Sequence, residues 1–218
     1  MRTRYAHFAL PKIAFRNRGD LTFAESSETW GFTVPTVSNG MAFADLDHDG
    51  DLDLVINNLN GGASIYRNNS AAPRVAVRLR GKAPNTQGIG AKVWLYGGAV
   101  PAQSQEIICG GRFLSSDEPV RAFAAGAASN RMRLEVRWRG GLVSVVSDVQ
   151  ANRVYEVDEA GAGAKPVSQE TAGSGAPGAG AATGGGPPSA SPGGPGPFFE
   201  DVSPLLGHTH HEDPFDDF

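Results

Sequence analysis

Between Asp45 and Asp53 the chain reads DLDHDGDLD, five aspartates in nine positions with a single glycine among them. Carboxylates crowded this closely repel one another, and the segment costs folding stability unless a cation sits among them. The spacing points to a metal ion. Asp45, Asp47, Asp49 and Asp53 occupy positions 1, 3, 5 and 9 of a loop, Gly50 is at position 6, and the carbonyl of Asp51 falls at position 7. Hard oxygen donors in a flexible loop suit calcium, which takes about six to eight of them, and the glycine permits the tight wrap. Magnesium fits less well because it demands a stricter octahedron and holds its water. Zinc fits least, since the loop has no thiolate and only His48, whose position directs it outward.

An EF-hand shares the first half of this pattern but ends on a bidentate glutamate at position 12, where this chain has Ile56. Met41 and Phe43 before the loop, and Leu52, Leu54 and Ile56 after it, alternate with small or polar residues. That is the period of half-buried strands, so the expectation is a calcium loop inside a β-hairpin. The bland alternative is an Asp- and Gly-rich turn joining two strands; a turn needs about two or three such residues, not four carboxylates at ligand spacing.

Strand patterning extends along most of the chain. AFRNRGDLTFAES and GMAFADLDHDGDLDLVINNLNGGASIYRNN read as successive hairpins, with Asn60-Gly61 in a turn, and four strands from 13 to 69 would form one propeller-like blade. From residue 74 the strands lengthen. RVAVRLRG puts Val75, Val77 and Leu79 on one face with Arg74, Arg78 and Arg80 among the polar residues, and RMRLEVRW puts Met132, Leu134, Val136 and Trp138 inward with Arg131, Arg133, Glu135 and Arg137 outward. Alternation makes these arginines the solvated face of a sheet rather than a binding stripe for acidic ligands. With AKVWLYGG, RAFAAG, LVSVVSDV and RVYEVDE, this region reads as an antiparallel β-sandwich or small barrel. The resulting division is a blade over 1–72, a β domain over 73–158, a Gly/Pro/Ala-rich flexible linker over 159–197, and over 198–218 the beginning of a further repeat unit.

The chain has 218 residues and a net charge of −4, without the basic face of a nucleic-acid binder. No run of about 18 apolar residues would span a membrane, and the amino terminus lacks the apolar core of a signal peptide. The lone Cys109 reads as a small apolar residue of a strand, and Asn68-Asn69-Ser70 matches a glycosylation sequon.

NGMAFADLDHDGDLDLVINNLNGGASIYRNN resembles the FG-GAP or VCBS-type repeat of integrin-α-like propellers. GIGAKVWLYGG, GGRFLSSDEP, EVRWRGG and VQANRVYEV resemble the ASPIC/UnbV domain, which follows such repeats in the cartilage acidic protein family and its bacterial relatives. The terminal FFEDVSPLLGHTHHEDPFDDF is similar to the start of further repeats, and FAAG at 123–126 and WRGG at 138–141 depart from the family pattern. The resemblance implies calcium at Asp45, Asp47, Asp49, Asp53 and the backbone of Asp51. It also implies an extracellular, periplasmic or cell-surface protein with no established catalytic activity. The expected function is therefore a non-catalytic calcium-binding adhesion or interaction module with a protein or carbohydrate ligand, truncated and lacking its neighbouring blades. Two alternatives stand beside it. One is a metal-dependent hydrolase drawing on the cluster His208, His210, His211, Glu212 and Asp213; the other is a structural segment inactive without the missing blades.

Overall fold

The computed structural model describes residues 8–59, 61–164 and 197–206. Apolar and polar residues alternate along most of these segments, and the chain is built almost wholly of strands. In order they are β1 (Phe15–Asn17), β2 (Phe23–Glu25), β3 (Ser38–Ala44), β4 (Asp53–Asn58), β5 (Ser64–Asn68), β6 (Arg74–Arg80), β7 (Lys92–Tyr96) and β8 (Ala102–Glu106). There follow β9 (Gly111–Arg112), β10 (Ser115–Ser116), β11 (Val120–Ala124), β12 (Met132–Arg137), β13 (Leu142–Val149), β14 (Arg153–Asp158), β15 (Gly163–Ala164) and β16 (Phe199–Asp201), then one helical turn, α1 (Ser203–Leu206).

The first unit is a four-stranded antiparallel sheet in the order β16-β5-β4-β3. Its core comprises Phe32, Leu54, Ile56 and Tyr66, with Ala14, Trp30, Phe43 and Phe199 packed around them. This differs from a blade drawn wholly from residues 13–69. β1 and β2 pair only with each other, and the fourth strand of the sheet is β16, which enters beside β5. Phe199 makes the difference: its ring lies 5.0 Å from that of Phe32, covering the apolar face that Tyr66 begins. Asn60 lies outside the described residues, as do His208, His210, His211, Glu212 and Asp213.

The second unit is a sandwich of two open sheets, β11-β6-β14 and β15-β13-β12-β7-β8. A single core joins them: Val75, Val77 and Leu79 face Val93 and Leu95 and the Met132, Leu134, Val136 and Trp138 row, all buried. Pairing is antiparallel except that β14 runs parallel to β6. The chain between these two strands crosses the opposite sheet, and a crossover of that length allows the parallel direction that a tight turn forbids. At WRGG the Trp138 N–H donates to the Leu142 carbonyl (2.9 Å), closing a short hairpin turn.

The outward row is more structured than a plain solvated face. Arg133 and Arg137 lie over the rings of Tyr96 and Trp94, at 4.3 and 5.2 Å, and both bond Glu135 between them. Two other expectations need correction. Cys109 is exposed, because β8 ends at Glu106 and the chain turns through Gly110 and Gly111. Regular structure continues past residue 158: Asp158 accepts from the Ala160 N–H, Glu159 accepts from the Lys82 N–H, and β15 adds to the edge of β13.

Leu134 is fully buried between the two sheets. Leu134→Ala is expected to lower the unfolding free energy by about 2–5 kcal/mol, measured as a reduced urea midpoint at unchanged slope.

Candidate metal centre

The aspartate loop closes a hairpin. β3 and β4 pair antiparallel down to Ala44 opposite Asp53, so Asp45 and Asp53 stand side by side at its feet. Between them the backbone turns through two left-handed residues, His48 (φ 63°) and Gly50 (φ 87°). Gly50 is buried against the second unit, and a Cβ there would lie 3.4 Å from Val154.

The loop folds its own N–H groups onto its carboxylates. Asp45 is buried and accepts from the Asp49 N–H (3.1 Å) and the Gly50 N–H (3.2 Å). Asp49 accepts from the Asp51 N–H (2.9 Å). Asp53, also buried, accepts from the Leu46 N–H (3.0 Å) with one oxygen and from the Asn68 N–H of β5 (2.8 Å) with the other. This arrangement brings carboxylate oxygens of Asp45, Asp47 and Asp49 within 4.8 Å of one another. The three form an all-oxygen donor set that could hold a metal ion, with Asp47 and Asp49 open to solvent.

The local electrostatics disfavour leaving the loop to itself. Burial pushes the Asp51 carboxyl up to about 7; Arg74 opposes the shift, and Asp49, Asp53 and Asp47 add to it. Burial likewise raises Asp53, against the Asn68 and Leu46 N–H groups that favour its charged form. Asp51 is itself buried, and its Oδ2 lies 3.2 Å from the Arg74 guanidinium. The same guanidinium reaches the side chain of Asp49 (3.0 Å), the Asp49 carbonyl (3.1 Å) and the Ser70 carbonyl (2.9 Å).

Arg74 belongs to β6, so the second unit supplies part of the loop's surroundings. The GGRFLSSDEP segment supplies more. Ser115 donates to the Met41 carbonyl (2.6 Å), and Asp117 accepts from the Phe43 N–H (2.9 Å). The Glu118 N–H donates to the Phe43 carbonyl (2.8 Å), and the Glu118 carboxylate accepts from the Asp45 N–H (2.9 Å). Thus the free edge of β3 is covered and the first aspartate is held by its own backbone. Arg112 grips Asp117 with two nitrogens and lies 4.8 Å from the Phe43 ring.

Sequence reasoning missed Arg74, Asp117 and Glu118. Strand alternation assigned Arg74 to a solvated face; the small Ala76 between arginines was a faint sign that this face is covered, and it is 1% exposed beneath Gly50. The side chain of Asn68, first residue of the sequon, is engaged at both ends, donating to the Leu52 carbonyl and accepting from the Ser70 N–H. His48 is exposed, as its loop position indicated.

Two protein families have models that match the chain: the FG-GAP-like repeat over residues 12–56 and ASPIC and UnbV over residues 81–164. The FG-GAP-like match precedes the ASPIC and UnbV match along the chain, and the aspartate loop lies within the first. It is also similar to cartilage acidic protein 1 of Homo sapiens, with 36% identity over 69 residues. That stretch is 31% of this chain and 10% of the human protein's length.

Asp117 offers a test of the contact between the units. Burial raises its carboxyl, but hydrogen bonds from Arg112 and the Phe43 N–H outweigh that and hold it below the usual range. A carboxyl depressed on folding contributes stability above its unfolded pKa of about 3.9 and loses it as pH falls through the folded value. Asp117→Asn should therefore lower the melting temperature near neutrality and narrow its difference from the parent as pH falls below 4, a convergence visible in melts across an acid pH series.

Proposed function

We propose that residues 45–53 bind one calcium ion through the side chains of Asp45, Asp47, Asp49 and Asp53 and the backbone carbonyl of Asp51, and that the ion has a structural role. The convergence of Asp45, Asp47 and Asp49 within 4.8 Å carries this reading. Two further features support it. Asp51 Oδ1 is buried without a hydrogen-bond partner, and burial raises the pKa of both Asp51 and Asp53. A divalent cation would reverse that shift and draw the loop together. The all-carboxylate and carbonyl donor set, on a loop opened by a left-handed glycine, is the chemistry calcium takes.

On this reading the chain is a non-catalytic module of an extracytoplasmic protein, in which the ion stiffens a scaffold whose loops meet a protein or carbohydrate partner. The FG-GAP-like repeat and the similarity to cartilage acidic protein 1 support that placement. Neighbouring repeats of the same type would be its structural partners. A hydrolase would need a general base beside the ion; among the described residues the loop's histidine, His48, faces solvent.

Calcium at about a hundredfold over its Kd should add about 2.7 kcal/mol of stability, on the order of 5–10 °C in Tm for a chain of this size. Magnesium should give a smaller rise, and the Asp45→Asn/Asp53→Asn double variant none. Equal melting temperatures in calcium and in chelator would refute the proposal.

A further inference from the structure

The β1–β2 hairpin and the β5–β16 pair have the same construction. In the first, Phe15, Arg16 and Asn17 face Glu25, Ala24 and Phe23; in the second, Tyr66, Arg67 and Asn68 face Asp201, Glu200 and Phe199. The flanking bonds repeat as well. The Ala14 N–H donates to Ser27 Oγ at 2.8 Å, and the Ile65 N–H donates to Ser203 Oγ at 2.8 Å. The Ser26 N–H donates to the Ala14 carbonyl, and the Val202 N–H to the Ile65 carbonyl, both at 2.8 Å. Even the exits match: the Gly19 N–H donates to Asn17 Oδ1 (2.7 Å), as the Ser70 N–H does to Asn68 Oδ1 (3.0 Å). After Asn17 the chain returns within the turn 18–22. After Asn68 it returns only at residue 198.

The landing place of the returning segment is shaped for it. The Asn69 N–H donates to the Phe198 carbonyl (2.7 Å), and the Phe199 N–H to the Trp30 carbonyl (3.2 Å). Gly31, at φ 91°, leaves room for the Phe199 backbone: a Cβ there would sit 2.4 Å from the Phe199 oxygen. Trp30 meets the Phe198 ring edge-on at 6.0 Å, Phe32 meets Phe199, and Arg67 pairs with Glu200.

We propose that the edge of β5, walled by Trp30, Gly31 and Phe32, is a strand-binding site for an extended segment carrying Phe, an acidic residue and Ser at alternate positions. Its occupant is Phe199, Asp201 and Ser203 of this same chain. The ASPIC and UnbV region, with everything else between Asn69 and Pro197, is then an insertion into the outer hairpin of the calcium-loop sheet, at the place where the preceding hairpin has a short turn. Residues 198–206 are the closing strand of that sheet, whatever they lead into. Backbone pairing supplies affinity, and the Phe and Ser positions supply selectivity. The proposal stands independently of the calcium reading, because no ligand of the loop belongs to the site.

The test cuts the tether and leaves the folded protein in place. A protease recognition sequence is placed between Gly184 and Gly185 of the full chain, the folded protein is cleaved, and the two pieces are followed by size-exclusion chromatography at micromolar concentration, with and without chelator. The C-terminal piece should co-elute with the body and be displaced by a synthetic peptide of residues 197–206. Ser203→Ala should weaken retention about 2–10-fold, one hydrogen bond's worth, and Phe199→Ala about tenfold or more. Leu205→Ala, at a residue 84% exposed, should leave it unchanged. Release of the piece on cleavage, or retention indifferent to Phe199→Ala and Ser203→Ala, would overturn the proposal. Both variants lie on the released segment and leave the sequence of the body unchanged, and a far-UV spectrum of each variant before cleavage shows that its body is folded.

Discussion

Confining five carboxylates to the loop of one hairpin is the constraint around which the rest of this structure is arranged. In water such a segment would spread to reduce its own repulsion. Here the β3–β4 pairing forces it closed, and the surroundings answer with opposite charge. Backbone N–H groups of Leu46, Asp49, Gly50, Asp51 and Asn68 turn toward the carboxylates, and Arg74 supplies the one guanidinium seen within reach of Asp49 and Asp51 among the described residues. These contacts do not fully offset burial, since Asp51 and Asp53 still hold their protons more tightly than a free aspartate.

That unfinished compensation ties the two units together. The β sandwich gives the loop Arg74 from one strand and Glu118 from the approach to another, while Gly50 rests on Val154 and Ala76. A change in the charge of the loop is therefore felt at the sandwich, through residues that are themselves only partly exposed. Arg121 is buried beside this seam and spends its donors on the Glu106, Glu118 and Val120 carbonyls, which fixes the backbone from which Glu118 reaches Asp45.

Sheet edges are handled by the same economy of contacts. β3 is covered by the Ser115–Glu118 segment of the sandwich, and β5 by a strand from beyond residue 196. Left open, either edge would present unpaired backbone groups to any passing strand. The equivalence of the two hairpins also explains a contrast in exposure. Tyr66 is fully buried, with Phe32 edge-on against its ring and Lys12 over it, whereas its counterpart Phe15 is 59% exposed on a hairpin with no third strand among the described residues.

Much of this was legible in residue order. Period-two alternation placed Val75, Val77, Leu79 and the Met132 to Trp138 row inside, because a pleated strand sends neighbours to opposite faces whatever it packs against. The β hairpin around the aspartate loop was legible for the same reason, since turn residues and alternation act over a few bonds. What local pattern could not contain was pairing between distant segments. Arg74 looked like one more outward arginine until the loop was folded over it, and Cys109 looked like strand interior until the chain turned away at Glu106. Phe199 looked like the start of something new, yet it closes a sheet begun far earlier in the chain. Those outcomes depend on which faces and edges meet in space, and only the tertiary structure decides that, because the free energy of covering a buried carboxylate or an open strand edge is collected across contacts that sequence distance does not measure.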